Sequence, residues 1–164
     1  MSKLILSLDG GGIRGAATAQ FLMRVDATLR NDHQTSLRER VDFYAGTSTG
    51  SLIALALATT NMSLEDISGL YSATSARQIF ADNRGWFELD GINAPKYEAK
   101  GKSTMLKKHL GQAKLRDVPA GKQVLVVTYG IERRRPHVLK SSKREHHKLL
   151  AWQVADASSA APTY

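Results

Sequence analysis

The chain of 164 residues contains no cysteine, which excludes disulfides and thiolate chemistry. It also has no run of about 18 or more apolar residues, the length that a membrane-spanning helix needs. The N-terminus enters an apolar strand at once and shows no signal-peptide pattern. We therefore expect a cytoplasmic protein, with membrane contact, if any, confined to its surface.

Two kinds of ligand site are missing as well. No Gly-Lys-Ser or Gly-Lys-Thr follows the glycine-rich stretch, which excludes a Walker loop. No cluster of histidines and carboxylates has the spacing of metal ligands. We expect neither a metal nor a cofactor.

Positive charge is abundant, with 23 Lys and Arg against 15 Asp and Glu and a net charge of +8. Much of it lies in residues 133–135 and 140–148. These stretches lack interleaved aromatics for base stacking, so we do not expect a nucleic-acid partner. An anionic lipid surface fits better, since each nearby Lys or Arg contributes about 1 kcal/mol there. An ordinary solvated surface is the alternative.

A pentapeptide in residues 46–50, GTSTG, is the most informative feature present. It follows an apolar run at 41–45 and precedes another at 52–58. A serine in such a strand–turn–helix setting adopts a strained conformation that exposes its hydroxyl. Ser48 is therefore the candidate nucleophile. The alternative is a simple glycine-rich turn in which Thr47 or Thr49 caps the next helix.

A second glycine-rich turn occupies residues 9–15, DGGGIRG, after the apolar strand 4–8 and before a helix that begins near Ala16. Backbone N–H groups at such a turn bind negative charge. A dinucleotide pyrophosphate is one possible anion, but that fold asks for an acid about 20 residues on, and Asp42 lies further along. The other is the oxyanion formed when Ser48 attacks an ester carbonyl.

The octapeptide LDGGGIRG at residues 8–15, followed by GTSTG at 46–50, resembles the patatin-like phospholipase family. The final residues 157–164, ASSAAPTY, are similar to a Ser-Ala-Ala-Pro segment of that family. The resemblance implies an α/β fold with a parallel-sheet core and flanking helices in three layers. It also implies that residues 1–164 are the N-terminal part of a single patatin-like domain that lacks its C-terminal part.

The resemblance further implies a lipid acyl hydrolase, a phospholipase A-type esterase, with a Ser–Asp dyad in place of a triad. Its substrate would be a phospholipid or another acyl lipid. Ser48 would be the nucleophile and Gly10, Gly11 and Gly12 the oxyanion hole. The supporting motif residues would be Asp9, Arg14, Gly15, Gly46 and Gly50.

The family's aspartate belongs to an Asp-Gly-Gly or Asp-Gly-Ala motif, which would lie beyond Tyr164. A noncatalytic lipid-binding or regulatory module that keeps the fold without the base is the alternative function. An α/β-hydrolase triad is a second alternative, in the chain order Ser48, Asp117 and then His137, His146 or His147. The glycine-rich turn directly after the first strand favours the Ser–Asp dyad over the triad.

The coarse pattern alternates strands and helices. A helix over 16–30 is expected to bury Ala17, Phe21, Leu22, Val25 and Leu29. The helix over 52–58 is apolar all round and should be buried, and Ser63 begins a capping box.

Residues 76–102, including Trp86 and Phe87, are expected to be irregular, with these aromatics contacting either acyl chains or the core. A short helix over 103–110 and a buried strand over 123–128 should follow. A further strand over 136–140 and a helix over 149–157 complete the prediction.

Overall fold

The computed structural model describes residues 3–72 and 98–160, with side chains from 101 onward in the second range. Within these ranges four strands form one sheet in the order β1 (Ile5–Leu8), β2 (Phe43–Thr47), β3 (Gln123–Gly130) and β4 (Arg135–Lys140). The first three are parallel, and β4 is antiparallel to β3. The carboxyl ends of β1, β2 and β3 therefore meet at one side of the sheet, here called the carboxyl edge.

Helices connect and flank these strands. They are α1 (Gly15–His33), α2 (Leu37–Arg40), α3 (Thr49–Thr59), α4 (Leu64–Gly69), α5 (Glu98–Leu110) and α6 (Ala151–Ser159). Short 3-10 turns occupy Gly12–Arg14, Leu115–Asp117 and Arg144–His146. The predicted parallel-sheet core with flanking helices is confirmed. No helix in the described part of the chain is both long and apolar enough to cross a membrane.

Helix α3 is the centre of the core. It packs against β1, β2 and β3, and every residue from 52 to 58 is buried, as the sequence predicts. An apolar helix of this kind gains stability only when all its sides are covered by protein. The residue that precedes α3 is thereby held on the most deeply packed element of the fold.

The sheet buries one face more completely than the other. Tyr44 on β2 and Val124 on β3 lie in register and are both buried, as are Leu8 and Val126 in their own register rows. The buried strand predicted over 123–128 is present, but it is buried on one face only, since its alternate residues Leu125 and Val127 are half-buried. Successive side chains on a strand point to opposite faces, and these faces differ in cover.

The buried side of α1 differs from the prediction. Leu22 is buried as expected, but Phe21 is 63% exposed and Ala17 is exposed too. The stripe that faces the core instead runs through Gly15, Ala19 and Leu22, at helical spacing. Close packing of Gly15 on neighbouring elements sets this rotation, as described below.

The predicted irregular segment also ends earlier than expected, because α5 begins at Glu98 rather than near 103. The remainder of that segment, with Trp86 and Phe87, lies outside the described residues. Strand β4 is present at the expected place. Helix α6 begins two residues later than predicted and continues to Ser159. That continuation brings Ser158 to the carboxyl edge.

Polar side chains terminate and align several elements. The capping box at Ser63 is confirmed, because the Asp66 N–H donates to the Ser63 hydroxyl and the Asp66 carboxylate accepts from the Ser63 N–H. Asp42, just before β2, accepts hydrogen bonds from the Leu4 N–H at 2.9 Å and from the Lys3 ammonium at 3.0 Å. These bonds lower the pKa of Asp42 and fasten the start of β1 to β2.

Candidate active site

Ser48 lies in the sharp turn between the end of β2 and the first residue of α3. Its φ is 54° and its ψ is −123°, a conformation that residues with a Cβ rarely adopt. This is the strained strand–turn–helix geometry of a nucleophile elbow. The alternative of a threonine cap is wrong, because Ser48 itself occupies the N-cap position and its side chain makes no capping bond.

Two glycines allow this turn to close. A Cβ on Gly46 would lie only 2.5 Å from the Gly50 carbonyl oxygen, so the strand and the helix approach each other across the turn without side chains between them. A Cβ on Gly50 would collide with the Leu8 carbonyl and lie 2.7 Å from the Asp9 oxygen. The start of α3 therefore rests directly against the backbone end of β1.

The second glycine turn begins at that same point. After Asp9 the chain passes through Gly10, Gly11 and the buried Gly12, whose φ of 54° suits a residue without a Cβ. The Arg14 N–H donates to the Gly11 carbonyl at 3.1 Å. The Arg14 side chain folds back over Gly11: a Cβ built on Gly11 would lie 3.1 Å from Arg14 Nε. Arg14 thus covers the turn that it was predicted to support.

The two turns meet in space. A Cβ placed on Gly10 would lie 3.1 Å from Ser48 Cβ and 3.3 Å from the Thr47 carbonyl oxygen. Within the described residues the N–H groups of Gly10 and Gly11 donate to no protein acceptor. The carboxyl edge therefore presents a serine beside unpaired backbone donors. It gathers the nine predicted site residues: Asp9, Gly10, Gly11, Gly12, Arg14, Gly15, Gly46, Ser48 and Gly50.

A third contact, between Gly15, Thr49 and Tyr71, holds the starts of α1 and α3 together. A Cβ on Gly15 would collide with Thr49 Oγ1 and lie 2.7 Å from the Tyr71 ring. The Thr49 and Tyr71 hydroxyls share a hydrogen bond of 2.6 Å. Burial raises the pKa of Tyr71 to about 12, so its hydroxyl stays protonated at neutral pH. The sequence does not predict this contact, because Tyr71 lies 22 positions from Thr49.

Ser158 is a contact that sequence reasoning missed. Its hydroxyl accepts from the Ser48 N–H at 2.8 Å and donates to the Val127 carbonyl at 2.7 Å. The only signal in the sequence is its position in the 157–164 segment that carries the family resemblance. Nothing local to that segment indicates a contact with a residue 110 positions away.

The triad alternative finds no support in this geometry. His137 is on β4, two strands from β2, and the Nδ1 of the buried His146 accepts a hydrogen bond from the Lys140 N–H. Asp117 accepts from the Lys114 N–H in a local turn. Ser48 is half-buried, and its hydroxyl has no hydrogen-bond partner in residues 3–72 or 98–160. The same residues hold no cluster of three potential metal ligands.

Comparison with known proteins identifies the family. A family model described as patatin-like phospholipase matches residues 6–164, and this span includes both glycine turns. The chain belongs to the patatin-like phospholipase family. The resemblance drawn from the two motifs is thereby confirmed.

The sequences of individual patatin-like proteins align with nearly the whole of this chain. Patatin-like protein 4 of Arabidopsis thaliana is 32% identical over 174 residues, and patatin-like protein 2 of the same plant is 30% identical over 176. Patatin-17 of Solanum cardiophyllum is 29% identical over 171 residues. Each match covers 98% of this chain but only 42% or 43% of the relative.

A solved structure shares the fold. The type III effector protein ExoU superposes with a TM-score of 0.54 at 17% identity, covering 98% of this chain and 40% of the effector. This likeness supports a patatin-like arrangement of strands and helices. The roles of the individual site residues stay predictions.

Proposed function

We propose that the chain is the N-terminal part, residues 1–164, of a single patatin-like phospholipase domain that hydrolyses acyl lipids. Ser48 is the nucleophile: its oxygen bonds to the acyl carbon as the lipid's ester C–O bond breaks, the alcohol leaves with the proton taken from Ser48, and water then hydrolyses this acyl-enzyme. The observation that carries this proposal is the approach of the Gly10 backbone to Ser48, with 3.1 Å between the Ser48 Cβ and a Cβ built on Gly10. A serine in a tight turn does not by itself indicate one reaction, whereas a serine turn beside a glycine turn suits acyl transfer.

The proposed reaction begins when Ser48 Oγ attacks the ester carbonyl of the lipid. Negative charge then develops on the carbonyl oxygen, and backbone N–H groups of Gly10, Gly11 and Gly12 stabilise it. The N–H of Thr49, in the first turn of α3, adds a donor of the kind that follows a nucleophile elbow. Loss of one such donor lowers turnover by about 10²- to 10³-fold in other acyl-transfer enzymes.

A base must accept the Ser48 proton, since the unassisted hydroxyl is a weak nucleophile at neutral pH. We assign this role to an aspartate of an Asp-Gly-Gly or Asp-Gly-Ala motif beyond residue 164. The chain spans 42% or 43% of its plant relatives, so much of their length has no counterpart here. A noncatalytic lipid-binding module is the outcome expected if that aspartate is absent.

A fluorophosphonate probe tests the nucleophile in the full-length protein. We expect labelling of the wild type, loss of labelling in Ser48→Ala, and normal labelling in the control Ser7→Ala, which removes an exposed serine from β1. Hydrolysis of phospholipid vesicles should likewise be lost in Ser48→Ala and kept in Ser7→Ala. If the wild type is not labelled but still binds lipid vesicles, the hydrolase proposal is refuted and the lipid-binding module is supported instead.

Membrane contact is the second part of the proposal, and the β3–β4 hairpin supports it. Thr47, the last residue of β2, pairs with Val127, whereas β3 continues three residues further to Gly130. At about 3.3 Å per residue the hairpin extends about 10 Å beyond the end of β2. Its tip therefore projects on the same edge of the sheet as Ser48.

The exposed tip combines aliphatic and positive side chains. Ile131 is 76% exposed, and Arg133, Arg134 and Arg135 are exposed with no carboxylate partner among the described residues. An exposed isoleucine that is followed, after Glu132, by three arginines fits the boundary of an anionic bilayer. The tip would hold the lipid surface close to Ser48.

Vesicle binding tests this orientation. We expect Arg133→Glu to weaken binding to anionic vesicles at least about fivefold, given about 1 kcal/mol for each basic residue at the surface. Lys148→Glu makes the same charge change near the opposite edge and should have a smaller effect. Equal losses in both variants would show a response to net charge alone, and the oriented contact would be refuted.

A further inference from the structure

The hydroxyl of Ser158 joins three elements at the carboxyl edge. It lies near the end of α6, accepts from the Ser48 N–H at 2.8 Å, and donates to the β3 carbonyl of Val127 at 2.7 Å. A serine hydroxyl has one proton and two lone pairs, so both bonds can form at once. The backbone of the elbow is thus tied to β3 through a single side chain.

This tie acts on a strained residue. The conformation of Ser48 persists only if neighbouring groups hold it. On its carbonyl side, the Ser48 oxygen accepts from the Ser51 N–H at 2.9 Å, the Leu52 N–H at 3.2 Å and the Ser51 hydroxyl at 2.6 Å. On its amide side, the Ser48 N–H donates to the Ser158 hydroxyl. Together these bonds restrain both peptide groups that flank the serine.

We propose that Ser158 is a positioning residue, one that holds the Ser48 backbone so that its hydroxyl faces the proposed oxyanion donors. This inference rests on the proposed function, since it assigns Ser158 a role in the reactivity of Ser48. Ser158 does not contact the substrate. Because the Ser48 N–H already donates to the Ser158 hydroxyl, the elbow's oxyanion donor is the Thr49 N–H rather than that of Ser48.

Removal of the Ser158 hydroxyl leaves the Ser48 N–H without its acceptor and Val127 without its donor. The elbow can then relax toward a less strained conformation and carry the Ser48 hydroxyl out of place. Displacements of about 1 Å lower reaction rates by about 10²-fold in enzymes. Substrate binding does not involve the Ser158 side chain, so the loss should appear in kcat while KM stays nearly constant.

The test compares variants of the full-length protein by fluorophosphonate labelling rate and by steady-state ester hydrolysis. We expect Ser158→Ala to lower the labelling rate and kcat about 10²-fold with KM within about twofold of the wild type. Ser158→Thr retains the hydroxyl and should recover most of the rate. Ser159→Ala is the matched control, because the Ser159 hydroxyl is also half-buried but, within residues 3–72 and 98–160, bonds only to carbonyls of its own helix.

Amide hydrogen exchange separates positioning from a loss of fold. In Ser158→Ala the Ser48 amide should exchange faster, whereas amides in the middle of α3 should keep wild-type protection. If that variant does not fold, Ser158→Cys, with its weaker donor and acceptor, should still show at least a tenfold loss of labelling.

Wild-type labelling in Ser158→Ala or Ser158→Cys, or a loss of equal size in Ser159→Ala, would overturn the positioning role. The wild type itself reports on the proposed function. If it is not labelled, the nucleophile assignment fails; if it is labelled and Ser158 substitutions have no effect, only the positioning role fails.

Discussion

Replacement of Gly50 by alanine is the sharpest test of how the two turns are joined. The added Cβ would lie 2.6 Å from the Leu8 carbonyl carbon and 2.7 Å from the Asp9 oxygen, and ordinary contacts begin at 3.4 Å. The end of β1 must therefore retreat by at least about 0.8 Å. Since these atoms are backbone, no side-chain rotation can relieve the contact.

This displacement has two measurable consequences. Overpacking of a filled interior lowers the free energy of unfolding by about 1–3 kcal/mol. The glycine turn follows directly from β1, so it moves away from Ser48 by a similar distance, and misplacement on that scale lowers the rate by about 10²-fold. Catalysis should therefore fall further than the folded fraction does.

Urea denaturation measures the free energy of unfolding, and fluorophosphonate labelling of the folded protein measures reactivity. Gly69→Ala is the matched control, because a Cβ at that helical position meets no atom within 4 Å. We expect its free energy of unfolding to stay within about 1 kcal/mol of the wild type, with unchanged labelling. A Gly50→Ala protein as stable and as reactive as Gly69→Ala would refute the reasoning.

Three other hydrogen-bonded contacts give further predictions. Tyr71→Phe removes the hydrogen bond to Thr49 and should lower the free energy of unfolding by about 1 kcal/mol in urea titrations, together with a slower labelling rate. Ser63→Ala removes a helix cap and should cost a similar amount of stability while the labelling rate stays at the wild-type value. The pKa of Asp42 is lowered by the Leu4 N–H, so its stabilising effect is present above the unfolded pKa of about 3.9 and is lost as the pH falls through the folded pKa. Asp42→Asn should therefore lose less stability than the wild type between pH 5 and pH 2, and parallel curves would contradict this assignment.

Features that depend on neighbouring residues were predictable. The apolar run at 52–58 predicted a buried helix because no rotation of such a helix leaves a polar side for water. The Ser63 capping box was also readable, since both partners lie within one helical turn. The orientation of α1 could not be predicted from the sequence. Ala17 and Phe21 are apolar, as core residues are, but the contact of Gly15 with Thr49 and Tyr71 turns them outward.

The two glycine-rich turns, their order, and the strands and helices on either side can be predicted from the residues alone, because glycine tolerance of unusual backbone angles and apolar periodicity are local properties. The approach of Gly10 to Ser48 and the bond from the Ser48 amide to Ser158 are visible only in the folded chain. Those contacts depend on the register of parallel strands and on how close α3 comes to β1. Such distances are set by packing across the whole sheet, which no short stretch of residues specifies.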